Sequence, residues 1–134
     1  MQQILIVGAG GFVGAIARFV LSGQVQRRVP VEYLACGTFV VNAVGCLVIG
    51  VLMALVTERP LLPRSLQLLL VTGFLGSLTT FSAFGYETLE LLRESRERAA
   101  LLNIGANVVV GLLAVWVGRE LVRLALAASM SPPG

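Results

Sequence analysis

Residues 71–85 read Val71-Thr72-Gly73-Phe74-Leu75-Gly76-Ser77-Leu78-Thr79-Thr80-Phe81-Ser82-Ala83-Phe84-Gly85. Three glycines, two serines and three threonines fall within this uncharged stretch. Gly and β-branched Thr weaken a helix, and Ser and Thr hydroxyls compete for its backbone hydrogen bonds. Yet the stretch sits inside a charge-free run, 65–86, close to the roughly 20 residues a helix needs to cross the hydrocarbon core of a bilayer. Together these facts predict a membrane span that breaks around Gly76 to Thr80, near mid-membrane. Broken backbone at that depth survives only where it is buried in protein or lines a cavity. Its freed carbonyls make a natural cation site, and a Gly-interrupted apolar segment is the best sequence pointer to a membrane protein's working site.

Two further uncharged runs, 33–57 and 99–118, and an apolar stretch from Ile4 to Leu21 interrupted only by Arg18, complete the pattern. The reading is an all-α membrane protein: one domain over 1–134, with four transmembrane helices at about 4–22, 33–57, 65–87 and 99–121. Short polar connections join them: Ser22 to Pro30, Thr57 to Arg64 with Pro60 and Pro63, and Glu87 to Arg98, read as a helix end and loop. Met1 to Gly8 lacks the basic start of a signal peptide, and no small-residue cleavage site follows, so the first stretch is expected to remain as a helix. Composition agrees. Of 134 residues 57% are hydrophobic and 13% charged, with a mean hydropathy of +0.91. A single small domain has too much surface to hide that much apolar side chain from water.

There is no His, Asp or Lys; all ten cations are Arg and all seven anions Glu. The usual catalytic triads and His-based metal sites therefore cannot be built, and no enzyme is expected. Cys36 and Cys46 lie ten apart in one apolar run, too far along a helix for a bridge within the chain. The net charge of +3 comes from arginines scattered between apolar runs, which read as membrane-flanking charges and not as a nucleic-acid surface.

Four crossings place Arg59, Arg64, Arg119, Arg123 and the terminal amine on one side, against Arg27, Arg28, Arg93, Arg96 and Arg98 on the other. The positive-inside rule acts through that difference, and here it nearly vanishes. Either the order of insertion sets the topology, or copies insert both ways round and pair antiparallel.

Small and polar residues mark the protein-facing side of a membrane helix. Gly10, Gly14 and Arg18 recur every four residues; so do Thr38, Asn42, Cys46 and Gly50, and again Asn103, Asn107 and Gly111. Residues four apart share a helix face. Close packing accounts for the glycines, but three carboxamides in one small bundle exceed what packing requires. Arg18 either snorkels to the headgroups or stands at the mouth of an aqueous vestibule. Phe81 and Phe84 share a face beside the break. A phenyl ring is electropositive at its edge, so edges turned to a pore would favour an anion without trapping it.

Taken together, Gly10-Gly11 to Gly14-Ala15 to Arg18, Gly37-Thr38 to Val41-Asn42 to Gly45, and above all Gly73 to Ser82 resemble the CrcB/Fluc family of fluoride channels, from Gly10 to about Gly118. The resemblance implies an antiparallel, dual-topology homodimer in the cell (inner) membrane with two pores, each lined by both subunits. By position, Asn42, Phe81 and Phe84 resemble the family's pore residues, and Ser82 and Thr38 members of its polar track. Gly76 and Thr79 match residues whose backbone carbonyls hold a structural sodium ion, and Arg18 and Glu87 match charged vestibule positions. The chain departs from the pattern at Ala83, where Thr is common, at Ser77, a frequent Gly, and at Asn103 and Asn107, near a familiar Tyr and Ser. An amide donates as a hydroxyl does, so the track is expected to be rewired and not lost.

The implied activity is passive export: neutral HF leaks in, dissociates, and the inside-negative potential drives fluoride out past donors from Asn42, Ser82, Thr38, Asn103 and Asn107. Three other readings stand beside it. Ile6-Val7-Gly8-Ala9-Gly10-Gly11-Phe12-Val13-Gly14 imitates a dinucleotide fingerprint, with Glu32 following, but that motif counts only in a strand–turn–helix unit. A small dual-topology exporter of the multidrug type would want a carboxylate inside a helix, and the first helix has none. A non-conducting membrane subunit would not need the broken span.

Overall fold

The computed structural model describes residues 1–28, 36–58 and 61–129. Four segments, Gln2–Arg28, Cys36–Thr57, Arg64–Arg93 and Glu97–Ala128, are long and apolar enough to cross a membrane, and no strand occurs among the described residues. Glu32, Arg59, Pro30, Pro60 and the start of the second uncharged run at 33–35 lie outside the described residues. Three spans are continuous: α1 (Gln2–Arg28), α2 (Cys36–Thr57) and α6 (Glu97–Ala128). The other is assembled from α3 (Arg64–Gln67), a π-helical stretch (Leu68–Leu75), α4 (Gly76–Leu78) and, past two extended residues, α5 (Phe81–Arg93).

Those two residues are Thr79 (φ −83°, ψ 149°) and Thr80 (φ −148°, ψ 116°). The break therefore falls inside the expected window, but Gly76 does not make it; Gly76 is helical at φ −61°, ψ −26°. Branching at Cβ favours extended backbone, and the hydroxyls of both threonines bond to nearby backbone. Thr79 Oγ1 donates to the Leu75 carbonyl at 3.0 Å. Thr80 Oγ1 accepts the Ala83 amide at 3.2 Å, capping α5.

The glycine seams face protein, as the spacing predicts. Gly10 and Gly14 are the buried residues of α1, and they lie directly on the backbone of the π-helical stretch. A Cβ at Gly14 would collide with the Phe74 carbonyl, while one at Gly8 would meet nothing within 4 Å. Gly14→Ala should thus lower stability by about 1–3 kcal/mol, the usual cost of overpacking, and Gly8→Ala should change it by less than about 0.5 kcal/mol. Thermal unfolding of the two variants in detergent checks the contrast. On the opposite side Gly50 and Gly118 let α2 and α6 meet backbone to backbone. Val41, Leu75 and Leu78 form the buried apolar centre, with Phe74, Val48 and Leu52 packed against it. The exterior is apolar, and Phe12, Phe19, Leu112 and Trp116 are exposed on it.

Two connections are shorter than the sequence reading has them. α1 continues to Arg28 through much of the expected loop, because Gln and Arg are good helix formers and the basic end suits the helix dipole. Gln26 there accepts the Gly37 amide at 3.3 Å, capping the start of α2. Most of the expected Glu87–Arg98 loop is likewise helix, through Arg93. The chain reverses over Glu94–Arg96, where Ser95 takes φ 56°. Its amide donates to Leu92 and that of Arg96 to Leu91, the bonds that close a helix when a left-handed residue follows it. At the other end Glu58 is held by Arg119 (3.5 Å) and Arg123 (3.8 Å), tying the finish of α2 to α6.

Candidate functional site

The extended pair Thr79–Thr80 cannot satisfy its own backbone, and α2 supplies what is missing. Asn42 Oδ1 accepts the Thr80 amide at 2.9 Å, and Asn42 Nδ2 donates to the Thr80 carbonyl at 3.3 Å. The same Nδ2 donates to Asn107 Oδ1 at 3.4 Å. Asn107 Nδ2 in turn donates to the Asn103 carbonyl (2.9 Å) and Asn103 Oδ1 (3.1 Å). Asn103, fully buried, donates to Thr88 Oγ1 at 2.9 Å. Thr88 ends the series by donating to the Phe84 carbonyl at 2.7 Å. The three amides are one connected ladder, not separate pieces of interhelical glue.

Beside the ladder lies a hollow of about 380 Å³, whose lining includes Asn42, Asn107, Gly76, Thr79, Phe81 and Phe84. The two rings stand with centroids 5.4 Å apart and planes tilted by 54°. Phe84 is half-buried, whereas Phe81 is 82% exposed, so the hollow opens onto the outer face of the protomer. Ser82 is exposed beside it, its hydroxyl 3.1 Å from that of Thr80. Asn103 reaches the hollow only through Asn107.

Thr38 and Glu87 belong to a second hollow of similar volume, about 380 Å³, near the reversal at Glu94–Arg96. Thr38 Oγ1 donates to Glu87 Oε1 at 2.6 Å; Oε2 is buried and receives no hydrogen bond among the described residues. Arg18 lines neither hollow. The sequence candidates are therefore split: Asn42, Phe81, Phe84 and Asn107 converge, Thr38 and Glu87 pair elsewhere, and Arg18 stands apart. Thr88 was missed. A usable signal existed, since it stands one helical turn after Phe84 and on the same face.

The Gly8 to Gly14 fingerprint lies wholly inside α1. With no strand before it, it cannot cradle a pyrophosphate.

A broken membrane span, a hollow at the break and a buried amide ladder beside it define a small polytopic membrane protein with a polar site among its helices. Residues 5–119 match the family described as CrcB-like protein, Camphor Resistance (CrcB). The chain is 44% identical over 96% of its length to a protein of Methylobacillus flagellatus, all of which is covered. It is 41% identical over 89% of its length to one of Methanococcus aeolicus, 94% of which is covered. With a protein of Pseudomonas syringae pv. tomato it shares 43% identity over 92% of this chain and 99% of the relative. Each of the three is named fluoride-specific ion channel FluC. The chain belongs to the CrcB family.

Proposed function

We propose that the chain is a fluoride-selective ion channel of the cell (inner) membrane, giving passive efflux of fluoride and so lowering its toxicity in the cytoplasm. The observation that carries this reading is the hollow at Thr79–Thr80, where an amide donor and two tilted phenyl rings converge in an uncharged span. Fluoride is small and strongly hydrated, so its path must offer donors in place of water. Both Asn42 Nδ2 contacts are long, at 3.3 and 3.4 Å, and a full anionic charge accepts more strongly than a neutral carbonyl. An arriving anion can thus take an amide hydrogen from Asn107 or Thr80 and give it back on leaving. Phe81 and Phe84 add edge contacts that attract without holding. Ser82 extends the donors outward; Thr38, paired with Glu87, offers a hydroxyl at the second hollow. The names of the relatives support fluoride as the ion. The exporter alternative gains nothing from α1, which holds no carboxylate.

The working unit in this reading is an antiparallel homodimer within membrane lipid. It accounts for the near-equal Arg counts on the two sides and for the bare Phe81 ring, which a second copy would cover. It also completes a sodium site. The Thr80 amide, which in an unbroken helix would bond the Gly76 carbonyl, goes to Asn42 instead, and extended backbone takes the Thr79 carbonyl out of the helical pattern. Carbonyl oxygens are hard donors suited to a hard cation. Gly76 and Thr79 would hold sodium, which when bound supplies positive charge that ties the broken spans together. Two carbonyls are few for one cation; a twofold partner doubles them.

The test is efflux from liposomes containing the purified protein, read with a fluoride electrode and repeated with chloride. Rapid fluoride release with none of chloride is expected; no release in either case would end the reading. Replacing sodium by N-methylglucamine should abolish efflux although no sodium crosses, and full activity without sodium would remove the cation site.

A further inference from the structure

The ladder of amides has a direction, and backbone groups lock it. An Asn side chain can be turned over to exchange its oxygen and nitrogen unless its partners decide the matter. The Thr80 peptide decides it for Asn42, since an N–H can only donate and a C=O can only accept. With its oxygen on the Thr80 amide, Asn42 points nitrogen at Asn107 and so requires Asn107 to present oxygen. The Asn103 carbonyl independently requires nitrogen from Asn107. Asn103 must then present oxygen to Asn107 and nitrogen to Thr88. A hydroxyl that accepts from Asn103 keeps its own proton for the Phe84 carbonyl. Every bond from one side chain to the next runs the same way, and both ends of the series rest on the turn that carries Phe81 to Phe84.

We propose that Thr88 is a positioning residue for the ion path: its hydroxyl closes this one-way ladder and, through Asn103 and Asn107, holds the Asn42 amide ready to donate at the break. Thr88 is buried and lines neither hollow. It acts on Asn42 only through two intervening side chains. Without the hydroxyl, the buried Asn103 nitrogen loses its acceptor; Asn107 still sets which way round the amide stands, but the amide is free to shift toward another acceptor. That shift weakens the bond from Asn107 to Asn103 Oδ1, and the oxygen that Asn107 presents to Asn42 is then held through the Asn103 carbonyl alone.

The ladder contains all three asparagines of the chain. Protein labelled with 15N at Asn side chains therefore gives three NH2 signals, all from the ladder. In Thr88→Val the Asn103 signal should move, and with it the remote Asn107 and Asn42 signals, while fluoride efflux falls about tenfold, the equivalent of one ordinary hydrogen bond. Thr88→Ser should restore all three positions and the efflux. Thr88→Ala removes the hydroxyl without a branched replacement and carries the same expectation as Thr88→Val, so the test survives if the latter fails to fold. An unmoved Asn42 signal in a folded hydroxyl-free variant would overturn the proposal. The functional arm rests on the fluoride reading, but the spectra do not. A wild-type protein that passes no fluoride would sink that reading and leave the ladder to be judged on its signals.

Discussion

Phe81→Ile and Phe84→Ile proteins are each expected to release no fluoride above background from liposomes, while still purifying as folded protein. Ile keeps an apolar side chain of comparable bulk, so packing changes by less than about 1.5 kcal/mol. What it lacks is the ring, whose positive edge is the favourable contact open to an anion that is leaving water. The rings stand tilted by 54° at a centroid spacing of 5.4 Å, not stacked face to face, and both line the hollow. A branched alkyl group there gives nothing to the ion. Because Phe81 is 82% exposed in the protomer, its replacement should barely alter the protomer's own unfolding. Normal efflux from either variant would remove the rings from the mechanism.

Asn42→Ala is expected to lose both stability and efflux. The substitution strips partners from the amide and the carbonyl of Thr80, two backbone groups at an interruption that has no helix to fall back on. A buried polar group left unsatisfied costs about 1–3 kcal/mol; both Thr80 groups are part-buried beside the hollow, so a loss at the lower end, about 1–3 kcal/mol in all, follows. Thermal unfolding in detergent should register it directly. Asn42→Asp should fall between: a carboxylate still accepts the Thr80 amide but cannot donate to its carbonyl. Losing transport alone marks a residue that faces the ion; losing both marks one that builds the path. An Asn42→Ala protein as stable as the parent would show that the break is held by something else.

Much of this was readable beforehand, for physical reasons that differ by feature. Charge-free runs expose membrane spans because charge is costly in lipid, and the Gly/Thr-rich stretch located the break because two β-branched residues in succession disfavour helix. Of the two causes read from the sequence, the threonines act and the glycine does not: Thr79 and Thr80 turn the chain, while Gly76 stays helical. The π-helical stretch at Leu68–Leu75 was not legible, since eight mostly apolar residues are too few to show a period. The Ser95 reversal was hidden because its left-handed position carries no glycine. Thr38 and Asn42 share a face of α2 one turn apart, so spacing put them on one path. In three dimensions the wall opposite changes within that turn, from the break to Glu87, and one stripe serves two hollows. The amides were conspicuous as a group, but which atom faces which depends on the Thr80 peptide and on Thr88, partners that no spacing rule connects.

The length of α6 has a practical consequence. Its 32 residues extend about 48 Å at 1.5 Å per residue, some 18 Å more than the hydrocarbon they traverse. Past Gly118 the surplus turns, fastened to Glu58 by Arg119 and Arg123, carry the helix stiffly through the headgroup layer to the water. A protease tag fused there would sit on a rigid mast, and whichever compartment can clip it reveals which way up its own molecule was threaded.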